Sequence, residues 1–278
     1  MNTLSKQIFS AAIILKGHQH SEAVLSSLWL ATDIEKRIGE RSYQKTTIRL
    51  FNQQEADTIQ RLKEKASLIL RGSGPDLEKA DFELALSIFD LQRWYEVTLD
   101  RFGPLVTQSL IQGYNTGIEK IGINSRFPGE TPNLVEVATE TLEKVKGIND
   151  TVVKELATRF PAAIEDGADL EALTGVVQQV FDVSRRRAKT IAQTTATPVF
   201  EAGQEFAFED AEIGEKVWLS RRDGKVRTGT FDHLEPDGQV QKVGDPFDVS
   251  NEELRFPGDP SGSPGNIINC RCTQLPKL

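Results

Sequence analysis

Residues 84–104 read LALSIFDLQRWYEVTLDRFGP. Leu84, Ile88, Leu91, Tyr95, Leu99 and Phe102 step by 4, 3, 4, 4 and 3, the spacing of one face of a long helix. Gly103-Pro104 is a stop signal, and a second helix is predicted over residues 104–121. Upstream, residues 54–70 read as another helix, rich in Glu and Lys and ended by Arg71-Gly72-Ser73-Gly74-Pro75. Downstream come three shorter ones, carried by Leu134, Ala138, Leu142 and Val145, then Val152, Leu156 and Phe160, then Leu170, Leu173, Val177 and Val180. Asn149 or Asp150 suits the N-cap of the second, and Asp166 or Asp169 that of the third. A helix beginning near Ser184 runs past Ala196 until Pro198 kinks or ends it. None of these helices is apolar all round, so they pack as a bundle or an elongated array.

The character changes near Gly214. Short β-like runs at residues 216–220, 239–243 and 247–249 alternate with the turn signals Asp223-Gly224, Asp237-Gly238 and Gly244-Asp245-Pro246. A Pro/Gly/Ser-rich loop over residues 256–265 follows, then a last extended piece ending at Cys272. The predicted fold is therefore mainly α over the N-terminal two thirds, with a small α+β domain at the C-terminus. The segments are 1–50, 51–213 and 214–278. In the first, Ile8, Ala11 or Ala12, Leu15, Leu25, Leu28 and Trp29 suit one or two helices, or an arm that rests on a partner.

The chain has 278 residues, 38% hydrophobic and 27% charged, with a mean hydropathy of -0.36. That balance disfavours both global disorder and membrane spanning. The longest apolar stretches, residues 8–15 and 23–31, fall short of the roughly 20 residues of a membrane-spanning helix. Lys16, Gly17 and His18 after the first give no secretory cleavage site. Cys270 and Cys272, the only cysteines, cannot staple a secreted scaffold, and one intervening residue would strain a mutual disulfide. Reduced thiols or metal ligands in a reducing cytoplasm fit better. Residues 190–278 carry 9 Lys+Arg against 15 Asp+Glu, a net -6 of the chain's -8. Bulk electrostatic binding of DNA by this part is disfavoured, leaving room only for a local basic patch.

The chemistry is concentrated in the tail. If residues 269–273 are extended, Cys270 and Cys272 share a face with Arg271 opposite. Two thiolates and the His233 imidazole are three zinc ligands, with Asp223 or Asp232 as a fourth. No other cofactor is expected. The same residues also read as small buried side chains and a turn histidine. A Cys–His nucleophile lacks any oxyanion-hole signature. Asp232-His233, with Asn269 and Cys-x-Cys later, echoes the His-Asn-His nuclease pattern but has no second histidine after Cys272. Arg185-Arg186-Arg187 with Lys189 reads as a phosphate patch or, more simply, a solvated and ion-paired helix face. His18 and His20 read as solvent-exposed, and Trp94, Tyr95 and Trp218 as core.

Taken in order, the tail resembles the phage head morphogenesis family, the phage Mu F-like minor head proteins. The matching residues are Arg187-Ala188, Ile191-Ala192 and Thr194, then Trp218, Asp223, Arg227, His233 and Gly238. They continue with Pro246-Phe247, Pro257-Gly258-Asp259-Pro260 and Asn269-Cys270-Arg271-Cys272. Gln193 and Thr195 depart from the family's Arg and Glu, and His233 follows Arg227 by six positions where three is commoner. The resemblance covers about half of the chain. It implies a non-enzymatic virion protein, made in the host cytoplasm and held at the portal vertex of the head. Its partners would be the portal protein, the major capsid protein or both, with contact to packaged DNA and none to membrane. It also implies that Arg227 and Arg271 pair with Asp223 and Asp259. The alternatives are a metal-dependent nuclease using His233 and a DNA-binding protein ejected with the genome.

Overall fold

The structure, a computed structural model, describes residues 3–14, 21–69, 77–129 and 131–278. In chain order the elements are α1 (Thr3–Ile14), α2 (Glu22–Ile69), α3 (Leu77–Ile88), α4 (Leu91–Ile121), α5 (Pro132–Glu165), α6 (Leu170–Arg186) and α7 (Ala188–Asp210). Then follow β1 (Glu215–Leu219), β2 (Val240–Lys242), β3 (Phe247–Val249), β4 (Glu252–Leu254), α8 (Pro264–Ile267) and β5 (Thr273–Lys277). Helices dominate the described residues and the strands cluster at the C-terminus, so the chain is mainly α with a small α+β end, as its patterning predicts.

Helix boundaries differ from the predicted ones where tertiary contacts override local signals. α4 runs through Gly103-Pro104. Pro104 forfeits one helical hydrogen bond, but Phe102, Val106 and Leu110 are buried on both sides of it. The chain breaks at Phe89-Asp90 instead, where Asp90 Oδ1 accepts the Arg93 N–H at 3.2 Å and Asp90 O accepts the Trp94 N–H. α5 is continuous through Asn149 and Asp150. Asn149 is no cap: it is buried and bonded to Gln54 Nε2 at 2.6 Å and Thr98 Oγ1 at 3.1 Å. Asp169 does cap α6, accepting the Ala172 N–H at 2.9 Å. The helix expected near Ser184 is two, α6 and α7, and Pro198 lies inside α7. The predicted stop at residues 71–75 and the histidines at 18 and 20 lie outside the described residues.

The chain divides into two compact units, neither contiguous in sequence. One comprises Gln44–Gly103 and Glu143–Ile191. Leu173, Val177, Val180 and Phe181 form the buried stripe of α6, and Phe181 meets Phe51 with ring centroids 6.5 Å apart. Arg185 is ion-paired with Glu55 and Asp182, the bland reading of the basic run.

The other unit comprises Met1–Tyr43, Pro104–Leu142 and Ala192–Leu278. Residues 22–43 belong to α2 and pack within this unit. Phe9, Leu28, Trp29 and Ala31 are buried with Leu219 and Leu275 of the C-terminal strands. α4 and α7 approach closely through glycines: a Cβ on Gly113 would lie 1.9 Å from Phe200 O, and one on Gly203 2.2 Å from Leu110 O. In the three-stranded sheet β1 is central, antiparallel to β2 and to β5, and β3–β4 form a separate hairpin. The last strand therefore begins after Cys272 rather than ending there. Its register, Leu219 opposite Thr273, fixes where the preceding cysteines fall.

Candidate functional site

Residues 269–274 enter β5 between two helices of the same unit. Trp29, Asp33, Lys36 and Glu40 step by 4, 3 and 4 along α2, so they share one face. Trp29 Nε1 donates to Arg271 O at 2.9 Å and Lys36 Nζ to Cys272 O at 2.6 Å. Asp33 and Glu40 bind the Arg271 guanidinium. Thr194, Thr197, Glu201 and Gln204 form the corresponding face of α7. Thr194 Oγ1 accepts the Asn269 N–H at 3.2 Å, and Thr197 Oγ1 donates to Cys270 O at 3.2 Å. Glu201 accepts from Gln274 N, and Gln204 Nε2 donates to Thr273 Oγ1 at 3.3 Å. A strand this deeply buried can keep its main chain paired only because both helices supply side-chain donors and acceptors.

With Arg271 turned toward α2, Cys270 and Cys272 face the opposite way, into a cluster with Trp218, Phe247, Val249 and Leu254. Each Sγ lies 3.7 Å from His233 Nδ1, and the three ligand atoms all lie within 4.8 Å of one another. All three residues are 2% exposed, and both thiols are free. His233 comes from the β1–β2 connection, where its N–H bonds Arg227 O at 2.9 Å and its ring meets Trp218 edge to face at 6.0 Å. The Cys270 thiol is held well below its ordinary value by the hydrogen bond from Cys272, with His233 acting in the same direction. Burial and the neighbouring Cys270 push the Cys272 thiol up.

The two carboxylates considered as a fourth ligand are occupied elsewhere. Asp223 is exposed and bound to Arg221. Asp232 Oδ1 accepts the N–H groups of Leu234 and Glu235 at 2.7 and 3.1 Å, which fixes the turn that carries His233.

Comparison with known proteins then sets this geometry in context. Residues 154–275 match the Phage Mu protein F like family. The resemblance read from the tail motifs is thus shown over this segment. The uncharacterized protein YqbB of Bacillus subtilis (strain 168) is 26% identical over 149 residues, 52% of this chain and 48% of that protein. The chain therefore spans about half the length of the curated relative it matches. No solved structure matches it.

Within the Mu F-like segment, the motif residues are mostly parts of the tail's framework. Trp218 is fully buried. Gly238 has φ +80° where its N–H returns to Trp218 O at 2.9 Å. Gly258 has φ +80° against Thr197, next to buried Pro257. Asn269 takes φ +57°, turning the chain out of α8. Arg187 is exposed at the C-cap of α6. The ion pairs expected of Arg227 and Arg271 are not the ones found. Arg227 Nη2 donates to Ile268 O, and Arg271 takes Asp33 and Glu40. Asp259 is held by Arg255, through Nε and Nη2 at 2.8 and 2.7 Å. Burial alone would raise the Asp259 carboxyl, but Arg255 and the Ser261 N–H keep it below its ordinary value.

Sequence reasoning passed over Asn266, whose Oδ1 lies 3.3 Å from His233 Nε2, and the α2 face that grips Arg271. A lone asparagine gives no signal. The α2 face did give one: a tryptophan in helical register with three charges is unusual for a purely solvated face.

Proposed function

We propose that this chain is a minor head protein of a tailed phage, held at or near the portal vertex and acting in head assembly. The portal protein and the major capsid protein are its partners, and packaged DNA is a secondary contact during packaging or ejection. The observation that carries this reading is the match of residues 154–275 to the Phage Mu protein F like family. Charge supports it: the net -6 of residues 190–278 suits a protein that sits near DNA without adhering to it. Among the described residues, no helix is long and apolar enough to cross a membrane. A non-enzymatic role fits His233, the residue a nuclease would use as its base. It is 2% exposed, with Nε2 against Asn266 and Nδ1 against two sulfurs. A general base needs a free nitrogen for the water it activates, and both ring nitrogens of His233 already face protein atoms.

Quantitative mass spectrometry of gradient-purified particles, with portal peptides as the internal ratio, tests the proposal. A stoichiometry at or below that of the portal, kept in DNA-free heads, is the expected result. Absence from particles despite abundance in the lysate overturns it.

A further inference from the structure

The His233–Cys270–Cys272 cluster has a feature that packing alone does not require: the tautomer of its imidazole is fixed. Asn266 Nδ2 donates to Val249 O at 3.1 Å, so the other amide atom, Oδ1, must face His233 Nε2. An acceptor there places the ring proton on Nε2. In the neutral ring Nδ1 is then the acceptor nitrogen, and it faces both sulfurs at 3.7 Å. A buried histidine whose far nitrogen is held by an amide oxygen is the outer-shell arrangement of a metal-ligating imidazole.

The nitrogen–sulfur dimensions agree. Zinc–nitrogen and zinc–sulfur bonds of about 2.05 and 2.3 Å at tetrahedral angles put N···S near 3.6 Å and S···S near 3.8 Å. The observed N···S separations are 3.7 Å, and the three donors lie within a 4.8 Å span. One main-chain donor already serves the thiolates: the Arg221 N–H bonds Cys272 Sγ. A cavity of about 130 Å³ is lined by His233, Cys270 and Cys272 together with Arg221, Lys225 and Arg227. Arg227 Nη1 is buried and makes no hydrogen bond among the described residues.

We propose that His233 Nδ1, Cys270 Sγ and Cys272 Sγ bind a zinc ion, with a water molecule in the cavity beside Arg227 as the fourth ligand. Binding takes both sulfurs as thiolates and releases to solvent any thiol proton they still carry. The ion then bolts the β1–β2 connection to the run-in of β5, two segments separated by 37 residues from His233 to Cys270. The soft thiolate pair selects zinc over magnesium or calcium. This site is independent of whether the chain resides in a virion.

The test uses the full chain, reduced and stripped of metal, titrated with cobalt(II) and then with zinc(II). One cobalt per chain, with a thiolate-to-metal charge-transfer band and the intense visible bands of a tetrahedral ion, is expected, and zinc should displace it. Asn266→Ala, which removes no ligand, should weaken zinc binding about 10–100-fold. Cys270→Ser and Cys272→Ser should each abolish the charge-transfer band or halve it. A folded wild-type chain that leaves cobalt in its octahedral aqueous state overturns the proposal, and so does binding without the thiolate band. Because the wild-type spectrum decides the matter, the proposal stays falsifiable even where a cysteine variant fails to fold.

Discussion

Trp29 Nε1 hydrogen-bonds the main-chain carbonyl of Arg271 at 2.9 Å, joining residues 242 positions apart. With Asp33, Lys36 and Glu40 on the same helical face, this makes α2 the element that reads the Arg271-Cys272 peptide. The tail strand is therefore not a free-standing domain appended to a helical array. It is threaded into the unit that α2 helps to build.

Arg271→Ala tests how strongly that unit depends on the pair. The substitution strands Asp33, whose side chain is 1% exposed, and Glu40 at 14%. Removing one partner of a buried pair costs about 3–5 kcal/mol. Arg37 still reaches Asp33 at 2.7 Å, so the low end, about 3 kcal/mol, is expected in urea unfolding. Asp33→Asn in the same chain should recover part of the loss. A change within 0.5 kcal/mol would mean that the guanidinium is solvated in solution.

Glycine positions discriminate close helix packing from ordinary helix propensity. Gly113→Ala would improve the intrinsic propensity of α4 by about 1 kcal/mol. Its Cβ would nevertheless meet the Phe200 carbonyl at 1.9 Å, a backbone atom that cannot step aside. A net loss of roughly 2–4 kcal/mol is expected, since overpacking forces backbone shifts. Gly175→Ala in α6 meets nothing within 4 Å, so it should raise stability by about 0.5–1 kcal/mol. Equal effects of the two substitutions on thermal unfolding would contradict the packing of α4 on α7.

Arg255 and Asp259 form a forked pair, and Arg255 Nη2 also reaches Glu140 at 2.7 Å. Lys at 255 keeps the charge but not the fork, so Arg255→Lys should cost about 1–3 kcal/mol at neutral pH. The sign of its pH dependence follows from Asp259, whose folded pKa lies below the ordinary value. Its stabilisation is present above the unfolded pKa and is lost as pH falls through the folded one. The gap between wild type and variant should therefore be full at pH 7 and should narrow under acid. A gap that widens on acidification would contradict the assigned partner.

Much of this molecule can be read from its residues. The 3- and 4-residue steps of α6 and, from Leu91 on, of α4, the Asp169 cap and the short runs that become β1, β2 and β3 are local signals that local physics honours. The stripe read as one helix from Leu84 is nevertheless broken between α3 and α4. What local signals misplace is set by tertiary structure. Gly103-Pro104 reads as a stop because helix propensity is low there, yet burial of Phe102 and Val106 carries α4 through it. Asn149 reads as a cap because asparagine prefers one, but it serves a buried polar network with Gln54 and Thr98. At the site, Cys270, Cys272 and His233 are visible as a ligand set. The partners of Arg271 and the role of Asn266 are not, because 231 to 238 residues separate Arg271 from Glu40 and Asp33. No periodicity encodes which distant charge will meet which.

Lys120 gives the alkaline counterpart to Asp259. Its Nζ is buried and bonded to Gln204 Oε1, to Gln274 O at 2.8 Å and to Thr273 Oγ1 at 3.4 Å. Burial lowers its pKa to about 7 from 10.5, against the opposing pull of Glu201 and with a further push from Lys36. A lysine whose folded pKa is depressed binds its proton more tightly when unfolded. Between the two pKa values the unfolded state therefore holds more protons, and stability rises with pH across that window. The slope approaches about 1.4 kcal/mol per pH unit, so unfolding at pH 9.5 should need roughly 2–3 kcal/mol more than at pH 7.5. Other titrating groups contribute to the absolute curve, so the informative quantity is the difference between wild type and Lys120→Met. Methionine carries no proton, and that difference should move in favour of wild type as pH rises from 7 to 9.5. A flat difference would show that the three acceptors hold Lys120 as an ammonium throughout, with hydrogen bonding outweighing the cost of burial.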